Sequence, residues 1–153
     1  MRVCLKNKES KDETGTWFVM PTNVTAVEYI LGKGSYVVVD TELPFFLEKG
    51  EYDLEELNRA CEQIESISDF IPIEDIEEIR KKWFSNIFEL LNHVDELEYY
   101  RCCRSMWDVA ERMLETELSE ARRKDIDLDA YATDLEAERD FLITETSVIE
   151  RRK

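Results

Sequence analysis

Apolar residues along the chain switch between two spacings, and each switch marks an element. Arg2 to Leu5 and Thr16 to Met20 are short apolar or β-branched runs separated by the polar "KNKESKDETG". That pattern predicts two strands joined by an exposed loop, the second ended by Pro21 and Thr22. From Asn23, the residues Val24, Val27, Ile30 and Leu31 recur at helical spacing as far as Gly32, which predicts a short helix with those four side chains inward. "SYVVVDT" is the clearest strand. In "ELPFFLEKGEYD", Pro44 bars regular sheet and helix, so an irregular connection is expected.

The centre of the chain reads as helical. Asp53 stands where a cap belongs and Glu56 where its capping-box partner belongs, ahead of an apolar stripe of Leu54, Leu57, Cys61, Ile64 and Ile67. Pro72 precedes a second helix, in which Ile76, Ile79, Trp83 and Phe84 recur while Glu74, Asp75, Glu77 and Glu78 crowd the opening turns. A short helical segment is expected around Phe88 to Leu91, and "LEYYRCC" reads as strand. Ser105 with Asp108 then starts a helix whose Met106, Val109, Ala110, Met113 and Leu114 face inward. A last helix over roughly Leu128 to Arg139 precedes one or two closing strands. The fold class is α+β.

Charge changes this picture most in the middle. The formal net charge over 153 residues is −16, from 36 acids and 20 bases. Residues 1–50 carry 7 acids and 6 bases, residues 51–98 carry 15 and 4, and residues 99–153 carry 14 and 10. Helices with inward apolar stripes must turn those carboxylates outward, so a broad acidic face is expected on the central third. Like charge opposes direct binding to a phosphate backbone, and the natural partners are basic surfaces. With 4 Gly, 3 Pro and 43 % hydrophobic residues, the composition is that of a folded chain rather than an acidic tail. No apolar run reaches the length of a membrane span and none at the N-terminus resembles a signal peptide, which predicts a cytoplasmic protein.

Candidate chemistry is sparse. "DIDLDAYATDLE" puts Asp125, Asp127, Asp129 and Glu136 at the spacing of a calcium loop. Its sixth place, where such a loop needs Gly for a sharp turn, holds Ala130 in a helix-favouring run. The alternative is that Asp127 or Asp129 caps a helix. Cys4, Cys61, Cys102 and Cys103 lack the spacing of zinc ligands, and His93 is the sole imidazole. Reduced, mostly buried thiols are expected, with no catalytic group, metal or cofactor.

Four segments also resemble a known family in order and spacing. "GTWFVMP" (15–21), "VVVDTELPFFLEKGEYDLEELNRACEQI" (37–64), "SMWDVAERMLETE" (105–117) and "IDLDAYATDL" (126–135) are similar to motifs of the ArdA family of antirestriction proteins. These are its tryptophan strand, its D-x-E-L-P-F and E-Y-D-S-x-x-E-L-N, its M-x-D-V-A-R helix and its I-D-Y-x-A-Y-G-R-D-L element. The family's Y-x-A-N-L-x-x-Y-N-x-G opening is mostly absent.

The resemblance implies a mobile-element DNA mimic, an elongated string of small strand-helix domains that pairs as a homodimer. It would occupy the DNA groove of the methyltransferase core of type I restriction-modification enzymes and act without a reaction. At one phosphate per ~1.7 Å of duplex axis, a charge of −16 corresponds to about 27 Å of DNA per chain. The domains expected are residues 1–35, small, β-rich and reduced relative to the family; 36–97, central and acidic; and 98–153, α+β and dimer-forming. The partner-binding face is assigned to Glu55, Glu56, Glu62, Glu65, Glu74, Asp75, Glu77, Glu78, Asp95, Glu96 and Glu98. The expected dimer contacts are Trp107, Asp108, Glu111 and Glu115, with Asp108 equally placed to serve as a cap and Trp107 to join the core. The alternative function is an acidic adaptor or DNA mimic directed at another basic DNA-binding protein.

Overall fold

The structure, a computed structural model, describes the backbone of residues 1–153 and the side chains of all but Ala121. The fold is α+β, and its contacts divide into two compact units, Met1–Asn92 and His93–Lys153.

In the first unit, β1 (Arg2–Asn7), β2 (Thr16–Val19), β3 (Tyr36–Glu42) and β4 (Gly50–Tyr52) form an antiparallel sheet in the order β2-β1-β3-β4. The register between β1 and β3 slips between Cys4 and Leu5, opposite Asp40 and Val38 respectively. Val39 is left as an extra residue, the signature of a bulge. Gly15 is required by close approach: a Cβ there would lie 2.6 Å from Cys4 Sγ and 2.8 Å from the Leu5 carbonyl oxygen.

The helices of this unit are α1 (Val24–Leu31), α2 (Leu54–Ile67), α3 (Ile73–Trp83) and α4 (Ile87–Asn92), and α2 and α3 both pack on α4. Asn58 of α2 grips the end of the sheet. Its side chain accepts from the Thr22 N–H at 2.9 Å and donates to the Thr22 carbonyl at 2.7 Å.

The second unit holds a three-stranded antiparallel sheet of β5 (Leu97–Tyr100), β7 (Val148–Arg151) and β6 (Asp140–Ile143), with β7 central. A short 3-10 turn, Val94–Glu96, leads into β5. Helices α5 (Met106–Glu117) and α7 (Leu128–Glu138) pack together, with the four-residue α6 (Glu120–Arg123) between them in sequence. Tyr100, Met106, Val109, Ala110, Met113, Leu135, Phe141 and Val148 belong to one buried cluster.

Several expectations need correction. The boundary drawn at 35/36 runs through a sheet, because β3 pairs with both β1 and β4, and the second division falls at 92/93. The connection after β3 contains a strand, β4, which aligns with Tyr36 to Val38 once past Pro44. In α1 only Val27 is buried and Ile30 is 56 % exposed, so the inward stripe is narrower than its spacing implied. The strand read over "LEYYRCC" stops at Tyr100 because Cys102 takes a left-handed φ of 66°, which turns the chain. Helix α6 carries no apolar periodicity in four residues and was not expected.

Candidate functional site

Helix α2 forms as its sequence requires. Asp53 caps it by accepting from the Glu55 N–H at 3.1 Å, while Glu55 and Glu56 meet the positive end of its dipole. Leu54, Leu57, Ala60, Cys61, Ile64 and Ile67 are buried. At 100° per residue these six occupy an arc of about 140°. Glu55, Glu56, Glu62 and Glu65 all lie outside that arc and are exposed, and Arg59 is the helix's single base. Asp69, just past the helix, is exposed as well. It was not singled out because it lies outside the periodic run. Burial pushes the Cys61 thiol up to about 11, keeping it protonated against the core.

Helix α3 is less acidic than its opening turns imply. Glu74 and Glu78 are exposed, but Asp75 is only 3 % exposed and does not belong to the solvent face. The reason is helical phase: Asp75 shares the inward side of α3 with Ile76 and Ile79, both buried. Glu77 is committed internally. Its Oε2 accepts from the Phe46 N–H at 2.9 Å, and its Oε1 accepts from Arg80 Nη2 at 2.7 Å. Burial acts to raise the Glu77 carboxyl, but those donors outweigh it and hold it below the usual carboxylate range. Arg80, Lys81 and Lys82 close α3, so the helix is dipolar, with acids at one end and bases at the other.

The remaining three residues expected on the acidic face lie in the second unit. Asp95 is exposed. Glu96 pairs with Arg151 at 3.1 Å, and Glu98 pairs with Arg152. The β5–β7 register places Glu98 opposite Glu150, which is only 2 % exposed. Glu150 accepts from the Tyr100 hydroxyl at 2.6 Å and lies 3.5 Å from both Arg139 and Arg152. Burial first, then the hydrogen bond to Glu150, pushes the Tyr100 phenol up from 10.0 to about 12.

That shift has a definite sign. Between pH 10 and about 12 the folded chain keeps the Tyr100 proton while the unfolded chain has released it. Stability is therefore fully present below pH 10 and falls as pH rises through this window. Urea midpoints measured from pH 8 to 12 are expected to fall less steeply in Tyr100→Phe than in the parent; parallel curves would refute the linkage.

On α5, Trp107 is 43 % exposed and Glu111 is exposed, while Glu115 lies 3.9 Å from Arg123. Asp108 serves as part of the cap: its N–H donates to Ser105 Oγ at 3.2 Å, and its carboxylate accepts from the Arg104 N–H at 2.9 Å. Asp127 caps α7 by accepting from the Ala130 N–H at 3.2 Å. The helix then runs unbroken from Leu128 to Glu138, through the positions where a calcium loop would turn. Among the described residues, no group of three or more His, Cys, Asp or Glu side chains suited to a metal occurs, and no helix is long and apolar enough to cross a membrane. Cys4, Cys61 and Cys103 are buried thiols and Cys102 is exposed.

These features have a counterpart among known families. No curated protein matches the chain. The family model described as antirestriction protein (ArdA) matches residues 10–150, and the chain belongs to the ArdA family of antirestriction proteins.

Proposed function

We propose that the protein inhibits type I restriction-modification enzymes by occupying, as a mimic of B-DNA, the groove in which their methyltransferase core takes duplex DNA. The observation that carries this reading is α2, where one arc is buried and the remainder carries four exposed glutamates against a single arginine. Such an array offers a lysine- and arginine-lined groove the long-range attraction of a phosphate backbone without any bond being made or broken. Glu74, Glu78 and Asp69 add further exposed acids to the first unit. Subunits pair through the side of α5 carrying Trp107, Glu111 and Glu115, which doubles the charge presented. The protein works in the cytoplasm of a cell that receives the mobile element encoding it.

The test is a titration of the purified chain into a type I enzyme bound to labelled target duplex at low salt. Displacement of the DNA, weakening as salt rises, is the expected result. Undiminished DNA binding at saturating protein refutes it. Displacement from a different basic DNA-binding protein instead would establish the adaptor function.

A further inference from the structure

A cleft in the second unit has a different character. It has a volume of about 400 Å³ and opens between α5 and the segment from α6 to the start of α7. This is the size range of small-ligand sites. Leu114, Ile126 and Leu128 supply apolar lining, Leu114 being buried and the other two half-buried. Arg123 and Lys124 bring two cations to the same space.

Arg123 is underused. Its Nη1 comes no closer than 3.9 Å to Glu115, beyond hydrogen-bond distance, and its Nε is buried with no hydrogen-bond partner among the described residues. Buried polar groups are almost always hydrogen-bonded, so a guanidinium beside a cavity with no hydrogen bond to its Nε–H calls for an acceptor. Its planar fork of N–H donors matches a carboxylate or a phosphate. Glu111 and Glu120 also line the cleft, and they oppose a second negative charge on whatever enters.

We infer that this cleft binds a small monocarboxylate with an aliphatic body, the carboxylate on Arg123 and the hydrocarbon against Leu114, Ile126 and Leu128. Sodium octanoate is the probe, and octan-1-ol is its uncharged match. In methyl NMR of the whole chain, octanoate produces saturable shifts at Leu114, Ile126 and Leu128. It binds roughly tenfold more tightly than octan-1-ol, as a charge-assisted hydrogen bond requires. Arg123→Gln reduces octanoate to the level of the alcohol and leaves the alcohol's affinity unchanged. Equal affinities of the two probes for the parent chain overturn the inference without recourse to any variant. So does an octanoate advantage that survives Arg123→Gln. Shifts that track subunit dissociation in sedimentation also overturn it, because the cleft would then belong to a second copy of the chain.

Discussion

Replacing Glu55, Glu56, Glu62 and Glu65 together by lysine is expected to reduce inhibition of a type I enzyme at least about 100-fold at low salt. The substitution changes α2 by eight units of charge without touching its buried arc. A screened surface contact is worth about a factor of two in affinity, and eight such steps compound to more than ~100-fold. Lysine and glutamate have similar helix propensities, so far-UV circular dichroism should be preserved. Lysines at positions 55 and 56 oppose the dipole and lower the melting temperature slightly. By the same reasoning, Glu62→Gln alone should cost less than about twofold. Inhibition by the fourfold variant within threefold of the parent would refute the collective mechanism. A collapse caused by the single variant would point instead to a discrete lock.

Helix α3 shows why such an experiment needs phase as well as charge. Counting acids makes α3 the equal of α2, with four each, yet only Glu74 and Glu78 of α3 are fully turned to solvent. Glu77 is bound by Arg80 and the Phe46 N–H, and Asp75 lies on the inward side. Substituting either would perturb packing first, and a loss of inhibition would say nothing about the face. The informative surface is α2, where every glutamate is exposed and none takes part in an ion pair among the described residues.

The fold is legible in the sequence where periodicity and caps agree. In α2 and α5 the spacing of apolar residues and a capping Asp or Ser point to the same boundaries, and burial follows the stripe. The fold is not legible where a feature depends on residues distant in the chain. The sheet that joins residues 2–7 to 36–42 is a pairing across 29 to 40 positions, and no local pattern announces it. Hence the boundary at 35/36 looked natural in the composition but cuts a ladder of hydrogen bonds. The candidate face behaved similarly. Glu55, Glu56, Glu62 and Glu65 were legible from the stripe they avoid. The partners that neutralise Glu96 and Glu98 are Arg151 and Arg152, more than fifty residues away, and become visible only once β5 and β7 pair. The cluster around Glu150 was illegible for the same reason, since an acid in "SVIERRK" reads as a solvated strand residue.

Glu150 is the basis for the largest expected loss of stability. It sits on the central strand of its sheet, 2 % exposed, with the Tyr100 hydroxyl and two arginines around it. Removing one member of a buried charged pair costs about 3 to 5 kcal/mol, because the partner groups stay behind unsatisfied. Arg139 and Arg152 are about half exposed and can turn to water, which places Glu150→Ala near the lower end, at about 3 kcal/mol. For a chain of this length that corresponds to a fall in melting temperature of roughly 10 °C. The double variant Tyr100→Phe with Glu150→Leu removes both the buried hydroxyl and the buried carboxylate, and should recover more than half of the loss. Thermal melts of Tyr100→Phe, Glu150→Leu and the double variant measure this coupling. Additive losses, or a Glu150→Ala variant within 1 kcal/mol of the parent, would show that the cluster is a passive neighbour of the core. Well below its melting temperature, Glu150→Ala should inhibit a restriction enzyme as the parent does, because the carboxylate it lacks never faced the solvent.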